Sequence, residues 1–282
     1  MKKFLLIGVF LLGSLFSQDV IRVGYDGSSM DALSKKDVAI ASDVWLKEIA
    51  REINYETQST VYDDSAQMAQ DLVDGKLDYI SAFGLVFVEH FDLSKLEDGF
   101  AAGFFNGEKE TFVILVQKES GIKSLADLRD KRIAIQKNDA VAKLYIKNGL
   151  HAKEAAESFT EEALPTRQRA LLKLFFGQVN AAVVTNKSYE LAKELNPQIG
   201  QKLRVLEVTD LEATNFGFLR KNLDEKTKNV LRDIAKNIHK TQRGKTLLTL
   251  YKTEVLSDSK LKDLQPFKEL YEKTLQLKKE EK

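Results

Sequence analysis

Two stretches of the chain repeat one pattern of apolar and polar positions. In SAQMAQDLVD and again in QRALLKLFF the apolar residues recur at helical spacing. Each run closes on a glycine. GKLDYISAFG (75–84) and GQVNAAVVTN (177–186) then place a long polar residue, an aliphatic one and Asp or Asn before a short apolar run. Glycine takes most readily the left-handed backbone that ends a helix, so both segments are predicted as helix, Gly, strand. The strands stop at Phe83-Gly84 and Thr185-Asn186.

The flanking patterns extend this alternation. VIRVGY (20–25) and YETQSTV (55–61) read as strands, with an amphipathic helix over 37–53 between them, whose Trp45 belongs to the core face. TFVILVQK (111–118) closes a first block. A second block repeats the order: a short helix in SLADLRD, a strand in RIAIQ (132–136), a helix in AVAKLYIKNGL, the second repeated unit, and a strand in LRVLEVT (203–209). After NFGFLRK (215–221) the pattern is helical to the end, and these helices are expected to cover the first block. Strand–helix alternation with short connections implies parallel sheets with helices on both faces and a ligand crevice beyond the carboxyl ends of the strands. The chain would leave the first lobe near 117 and return near 216. Two crossings make a hinge.

The N-terminus adds a compartment. MKKFLLIGVFLLGSLFSQ has two lysines, an apolar run from Phe4 to Phe16, then small and polar residues, the pattern of a secretory signal cleaved near Ser17. The apolar run is shorter than the roughly 20 residues of a spanning helix. The mature protein is expected to be a soluble, periplasmic monomer. The chain has no Cys, so a lipid anchor on a cleavage-site cysteine is excluded, and two α/β cores need no disulfides. The formal charge of +1 falls to about −1 without Lys2 and Lys3, which argues against nucleic acid or anionic membrane as a general partner.

At SGIKSLADLRDKRIAIQ the sequence resembles the segment with which type II periplasmic solute-binding proteins begin their second lobe. GKLDYISAFG, QVNAAVVTNKSYEL and FLRKNLDEKTK are similar, in order and spacing, to the phosphate-, phosphite- and phosphonate-binding components of ABC importers. The resemblance covers nearly the whole mature chain. It implies an α/β, two-lobe type II fold, each lobe a mostly parallel sheet flanked by helices, with two hinge crossings. Residues 1–17 would be the signal peptide, 18–116 and 217–282 lobe one, and 117–216 lobe two. The implied role is delivery of a small polar, anionic solute to the permease of an ABC importer, without catalysis or cofactor.

Family positions carried onto this chain give lobe-one contacts at Tyr25, Ser28 and Ser29, Tyr62 and Ser65, and Phe83. Lobe two would add Asn138 and Asp139, Arg167 and Gln168, and Thr185 and Asn186. Hydroxyls, amides and helix N-termini all suit a small polar anion. Simpler roles stand beside these. Asp64 and Ser65 fit an N-cap worth about 1 kcal/mol; Ser28 and Ser29 fit a turn, Arg167 a solvated charge, and Tyr25 and Phe83 core packing.

Asp139 departs from the family pattern. A carboxylate about 4 Å from a ligand anion costs roughly 4 kcal/mol at an effective dielectric of 20, against about 0.3 to 2 kcal/mol returned by a helix N-terminus. Repulsion wins unless Arg167, Arg169 or Lys137 neutralises it.

Motifs for chemistry are thin. RGKT at 243–246 lacks the upstream glycine of a phosphate-binding loop, where His239 stands instead. The histidines at 90, 151 and 239 are scattered, and His-Glu-x-x-His and Gly-x-Ser-x-Gly are absent. Asp63-Asp64 fits a cap better than acid–base work. Two other uses of this fold stay open, a ligand-sensing periplasmic module and an enzyme of thiamine or menaquinone precursor metabolism.

Overall fold

A computed structural model describes residues 19–27, 40, 43, 44, 46, 47, 50, 55–150, 158–250 and 253–279. Residues 1–18, Ser28, Ser29, Trp45 and His151 lie outside the described residues. Positions 40, 43, 44, 46, 47 and 50 are helical, within the run expected over 37–53.

Among the described residues, six strands form one sheet: β1 (Val20–Asp26), β2 (Glu56–Tyr62), β3 (Tyr79–Phe83), β4 (Leu96–Gly103), β10 (Asn215–Arg220) and β11 (Val255–Ser259), in the order β11-β4-β10-β3-β1-β2. A second sheet holds β5 (Thr111–Gln117), β6 (Arg132–Gln136), β7 (Thr160–Leu164), β8 (Ala181–Thr185) and β9 (Leu203–Glu212), in the order β7-β6-β8-β5-β9. The nine helices labelled below belong to the described residues.

Both sheets are mixed. β1 pairs in parallel with β2 and β3, and β6 with β7 and β8, while β10, β4, β11, β5 and β9 join antiparallel. The antiparallel members are the strands that carry the chain between lobes and their neighbours, so the expected parallel character holds only for the β-α-β half of each sheet. β5, expected to close lobe one, lies in the second sheet between β8 and β9. The chain therefore changes sheets over 104–110 and 213–214, before the expected crossing at 116–117 and just before that at 216–217. A run such as FVILV is buried on both faces and fits the middle of either sheet. Only its partners decide.

The repeated unit has one physical cause in both places. Helix α1 (Ser65–Val73) ends at Gly75 with φ 73°, and the later helix α4 (Arg167–Phe175) at Gly177 with φ 71°. Lys76 N–H reaches back to Asp71 O and Gln178 N–H to Lys173 O, both at 2.9 Å, closing each helix with a Schellman turn. Asp78 then accepts the backbone N–H of Arg22 at 3.0 Å, and Asn180 that of Arg132 at 3.0 Å. Each side chain stitches its own strand to the start of the neighbouring parallel one. Asp78 is 3% exposed and also receives Arg220 at 2.9 Å, which ties the returning strand β10 to the same point.

One apolar core runs through both lobes, from Met68, Leu72 and Ile80 to Ile114, Ile133 and Ile146. The remaining helices are α2 (Gly84–His90), α3 (Ala140–Gly149), α5 (Asn186–Leu195), α6 (Pro197–Lys202), α7 (Glu225–Asn237), α8 (Gln242–Leu250) and α9 (Gln265–Lys279). The C-terminal helix α9 packs against α2 of lobe one and α3 of lobe two, not on the first block alone as expected. Phe267 fills the space left by Gly84, where a Cβ would strike its ring, and meets Phe216 edge-on at 5.7 Å. On the other side Asn148, 2% exposed, donates to Leu270 O at 2.8 Å and to Thr274 Oγ1 at 3.0 Å. β11 interrupts the stretch expected to be wholly helical.

Candidate ligand-binding site

Strand direction fixes where a site can lie. β3 ends at Phe83, which pairs with Asn215, the first residue of β10 after the second crossing. β8 ends at Thr185, which pairs with Phe112, next to the first crossing. The parallel strands β1 and β2 end beside β3, and β6 and β7 beside β8. Every carboxyl end in both β-α-β units therefore points to the crossover zone, and the helices that follow present their N-termini there. One cavity of about 120 Å³ is lined by both crossings together with β4 and β11, and another of about 280 Å³ lies between α3, β9 and α9. The candidate site is the cleft between strand ends rather than either hollow.

In lobe one, Tyr25 is half-buried against the cluster of Ile21, Val23 and Tyr55, so packing accounts for its ring. Its neighbour Asp26, which sequence reasoning missed, is 2% exposed and accepts the Ser65 hydroxyl at 2.8 Å. Nothing in the alternation of β1 marks Asp26. Asp64 caps α1, accepting from Ala66 N–H at 2.9 Å and Gln67 N–H at 3.3 Å. The cap and the expected contact are thus two different residues. Tyr62 turns back: its hydroxyl donates to Asp71 at 2.9 Å, and burial together with that carboxylate pushes its pKa up to about 12. Phe83 precedes α2 with extended backbone and no capping side chain.

In lobe two, Asn138 adopts φ 66°, a left-handed turn that Asn tolerates better than most residues. The turn delivers Asp139 to the N-cap of α3, where it accepts from Ala142 N–H at 3.1 Å. Its other oxygen meets Arg167 Nη2 at 3.0 Å, with the two side chains 9% and 16% exposed. Arg167 also lies 5.3 Å above the Phe112 ring. Of the three cations proposed to neutralise Asp139, Arg167 is the one that does so, and it is no solvated charge. Gln168 is exposed.

Thr185 and Asn186 have structural duties. Thr185 is fully buried; it accepts from Ser188 N–H at 3.1 Å as the N-cap of α5 and donates to Ser188 Oγ at 2.8 Å. Asn186 accepts from Thr111 N–H at 3.1 Å and donates to Lys109 O at 2.9 Å, clamping the first crossing to α5. Lys109 pairs with Glu212, and Ala213 N–H reaches Glu110 O at 2.7 Å, so the two crossings are bonded to each other. Asn215 Oδ1, opposite Phe83, is a buried acceptor with no hydrogen-bond partner among the described residues. Sequence reasoning missed it as well.

The model of the family described as "ABC transporter, phosphonate, periplasmic substrate-binding protein" matches residues 32–264. The chain belongs to this family. Solved structures agree in fold. A binding protein component of an ABC phosphonate transporter from Pseudomonas aeruginosa is 18% identical, with TM-score 0.61 over 93% of this chain and 88% of that one. PhnD1 from Prochlorococcus marinus, in complex with methylphosphonate, is 16% identical, with TM-score 0.60 over 93% and 99%. The periplasmic aliphatic sulphonate binding protein SsuA from Escherichia coli is 18% identical, with TM-score 0.53 over 93% and 94%. No curated protein matches the sequence. No helix among the described residues is long and apolar enough to cross a membrane.

As a member of this family the chain has a mixed-sheet, two-lobe α/β scaffold. Its sequence-predicted contacts fall into two groups. Ser65, Phe83, Asn138, Asp139 and Arg167 stand at strand ends or helix starts that open on the crossover zone. Tyr62, Thr185 and Asn186 also stand at strand ends or helix starts, and their side chains are bonded to Asp71, Ser188 and the first crossing.

Proposed function

We propose that this protein captures a small polar solute carrying an anionic group between its two lobes, in the periplasm, and hands it to the permease of an ABC importer without altering it. The observation that carries the reading is the convergence of the carboxyl ends of both β-α-β units on two crossings that are bonded to each other. Such an arrangement lets the lobes shift about the crossings and enclose a ligand from both sides. Arg167, at the N-terminus of α4, is the cation placed for an anionic group. Lobe one spans 19–103 and 215–279 and lobe two 111–212 in this reading.

Ligand-induced closure tests it. A ligand at 100 times its Kd adds about 2.7 kcal/mol to stability. At roughly 2 to 4 °C per kcal/mol, Tm rises by about 5 to 10 °C. Small-angle scattering of the mature chain with the ligand that co-purifies with it, identified by mass spectrometry, is expected to show a smaller radius of gyration. A stabilising ligand that leaves the radius unchanged contradicts closure.

A further inference from the structure

The cavity of about 120 Å³ beside the crossings holds a polar group that the fold leaves without a partner. Ser259, the last residue of β11, lines it and is 2% exposed, and its Oγ has no hydrogen bond among the described residues. A buried hydroxyl left in this way is unfavourable, so a partner from outside the fold is called for. The rest of the wall comes from distant parts of the chain: Glu110 on the first crossing, Glu212 and Thr214 at the second, Ala101 on β4, and Asp263 just before α9.

Charge decides what kind of partner. The lining carries five carboxylates and one lysine, Lys109. Lys109 is taken by Glu212, and Lys187 on α5 takes Glu108. Glu110, Asp258 and Asp263 have no ion pair among the described residues. Glu108 and Asp258 are exposed, so the cavity is open to solvent on their side. Carboxylates gathered around one hollow attract a cation. A single metal ion would need several oxygen ligands converging at bonding distance, and no group of three carboxylates or histidines among the described residues is arranged to hold one. The carboxylates stand instead on separate segments, and Ala101, Ala102 and Phe216 supply an apolar part of the wall. A cation with charge at both ends and methylenes in the middle matches that pattern.

We infer that this cavity is a binding site for a short linear diamine, separate from the cleft between the strand ends. The ammonium groups meet Glu110 and Asp263, the Ser259 hydroxyl accepts one ammonium N–H, and the methylenes lie on the apolar part of the wall. Because both crossings line the cavity together with β4 and β11, a bound diamine holds these segments to one another and stabilises the folded chain. The site goes beyond the proposed solute-binding function and does not depend on it.

Putrescine is the probe, with methylammonium as the one-ended control and Mg²⁺ as the control for general attraction to a negative surface. Calorimetry on the full mature chain is expected to show saturable one-to-one binding of putrescine, at least about ten-fold tighter than methylammonium because its two ends bind together, and tighter than Mg²⁺. Tm should rise as the site fills. Ser259→Ala, which removes one hydrogen bond, is expected to weaken putrescine about five-fold. Glu110→Gln and Asp263→Asn, the second keeping an acceptor for Lys260 N–H, are each expected to weaken it at least about ten-fold. Asp139→Asn, in the cleft, should leave it unchanged. Thermal melts of each variant without ligand show whether its fold is intact. Absence of saturable putrescine binding overturns the inference, and so does binding of methylammonium or Mg²⁺ as tight as that of putrescine. Putrescine affinity that ignores Ser259→Ala and Glu110→Gln but falls with Asp139→Asn overturns it as well, since the diamine would then sit in the cleft. Closure on the co-purifying ligand is measured separately, so either reading can stand while the other falls.

Discussion

Replacing Asn148 with Ala probes the least expected feature of the molecule, a C-terminal helix that touches both lobes. The side chain of Asn148 is 2% exposed on α3, and its amide donates to Leu270 O at 2.8 Å and Thr274 Oγ1 at 3.0 Å, while Thr274 can return a bond at 3.2 Å. Truncation to Ala removes two donated bonds worth about 1 kcal/mol each. Leu270 O keeps the Thr274 hydroxyl at 2.9 Å, so no carbonyl is stranded. The small cavity left by the amide adds roughly 1 kcal/mol. The sum, roughly 3 kcal/mol, corresponds to a fall in Tm of about 6 to 12 °C for a chain of this length. Thr274→Val breaks the same contact from the other helix with little change in volume. Because both variants attack one contact, their effects should fall short of additivity by at least about 0.5 kcal/mol. Urea unfolding of wild type, both single variants and the double variant measures this. A Tm within 1 °C of wild type for Asn148→Ala, or strict additivity, would refute the idea that this polar contact fastens α9 to lobe two.

Other consequences are simpler. Gly75→Ala has open space for its methyl group but must hold φ near 73°, so it should cost about 1 to 2 kcal/mol in denaturant unfolding, with Gly75→Asn costing less. Lys228, with Arg232 and against a smaller opposing effect of burial, holds the Glu97 carboxyl below its ordinary pKa of 4.5. That stability is present above the unfolded-state pKa and is lost as pH falls through the lower folded one, so Glu97→Gln should flatten the decline in Tm below about pH 4.3. N-terminal sequencing of protein from the cell envelope should begin within a few residues of Gln18, and an intact Met1 there would refute export by cleavage.

Local chemistry was legible wherever one residue type has one cheap solution. Gly75 and Gly177 ended helices as the pattern required, because only glycine enters that backbone without strain. Asp64 at the cap, the strand ends at Phe83 and Thr185, and the helices after 139, 167 and 225 followed from short-range signals in the same way. The repeated Asp78 and Asn180 were visible too, though their task, holding the first N–H of a neighbouring strand, needed the pairing to be seen. Other elements were invisible. LEDGFAAG has two glycines and two acids and no alternation, and it is a strand because β10 and β11 supply partners on both sides. TEEAL and VLSDS lie at sheet edges, where one open side demands little apolar pattern. The membership of β5 was undecidable for the opposite reason: a strand buried on both faces fits the middle of either sheet, and only its long-range partners, Val184 and Val208 opposite Val113, assign it. At the candidate site, the sequence put hydroxyls and charges at the carboxyl ends of strands and the starts of helices, because chain order in a β-α-β unit decides which end of a strand leads into the following helix. It could not say which way each side chain turns. Arg167 on Asp139, Ser65 on Asp26 and Asn186 on the crossing strand are contacts between residues far apart in the chain, and such pairings arise only when folding has brought both partners together and removed the water that would otherwise satisfy each.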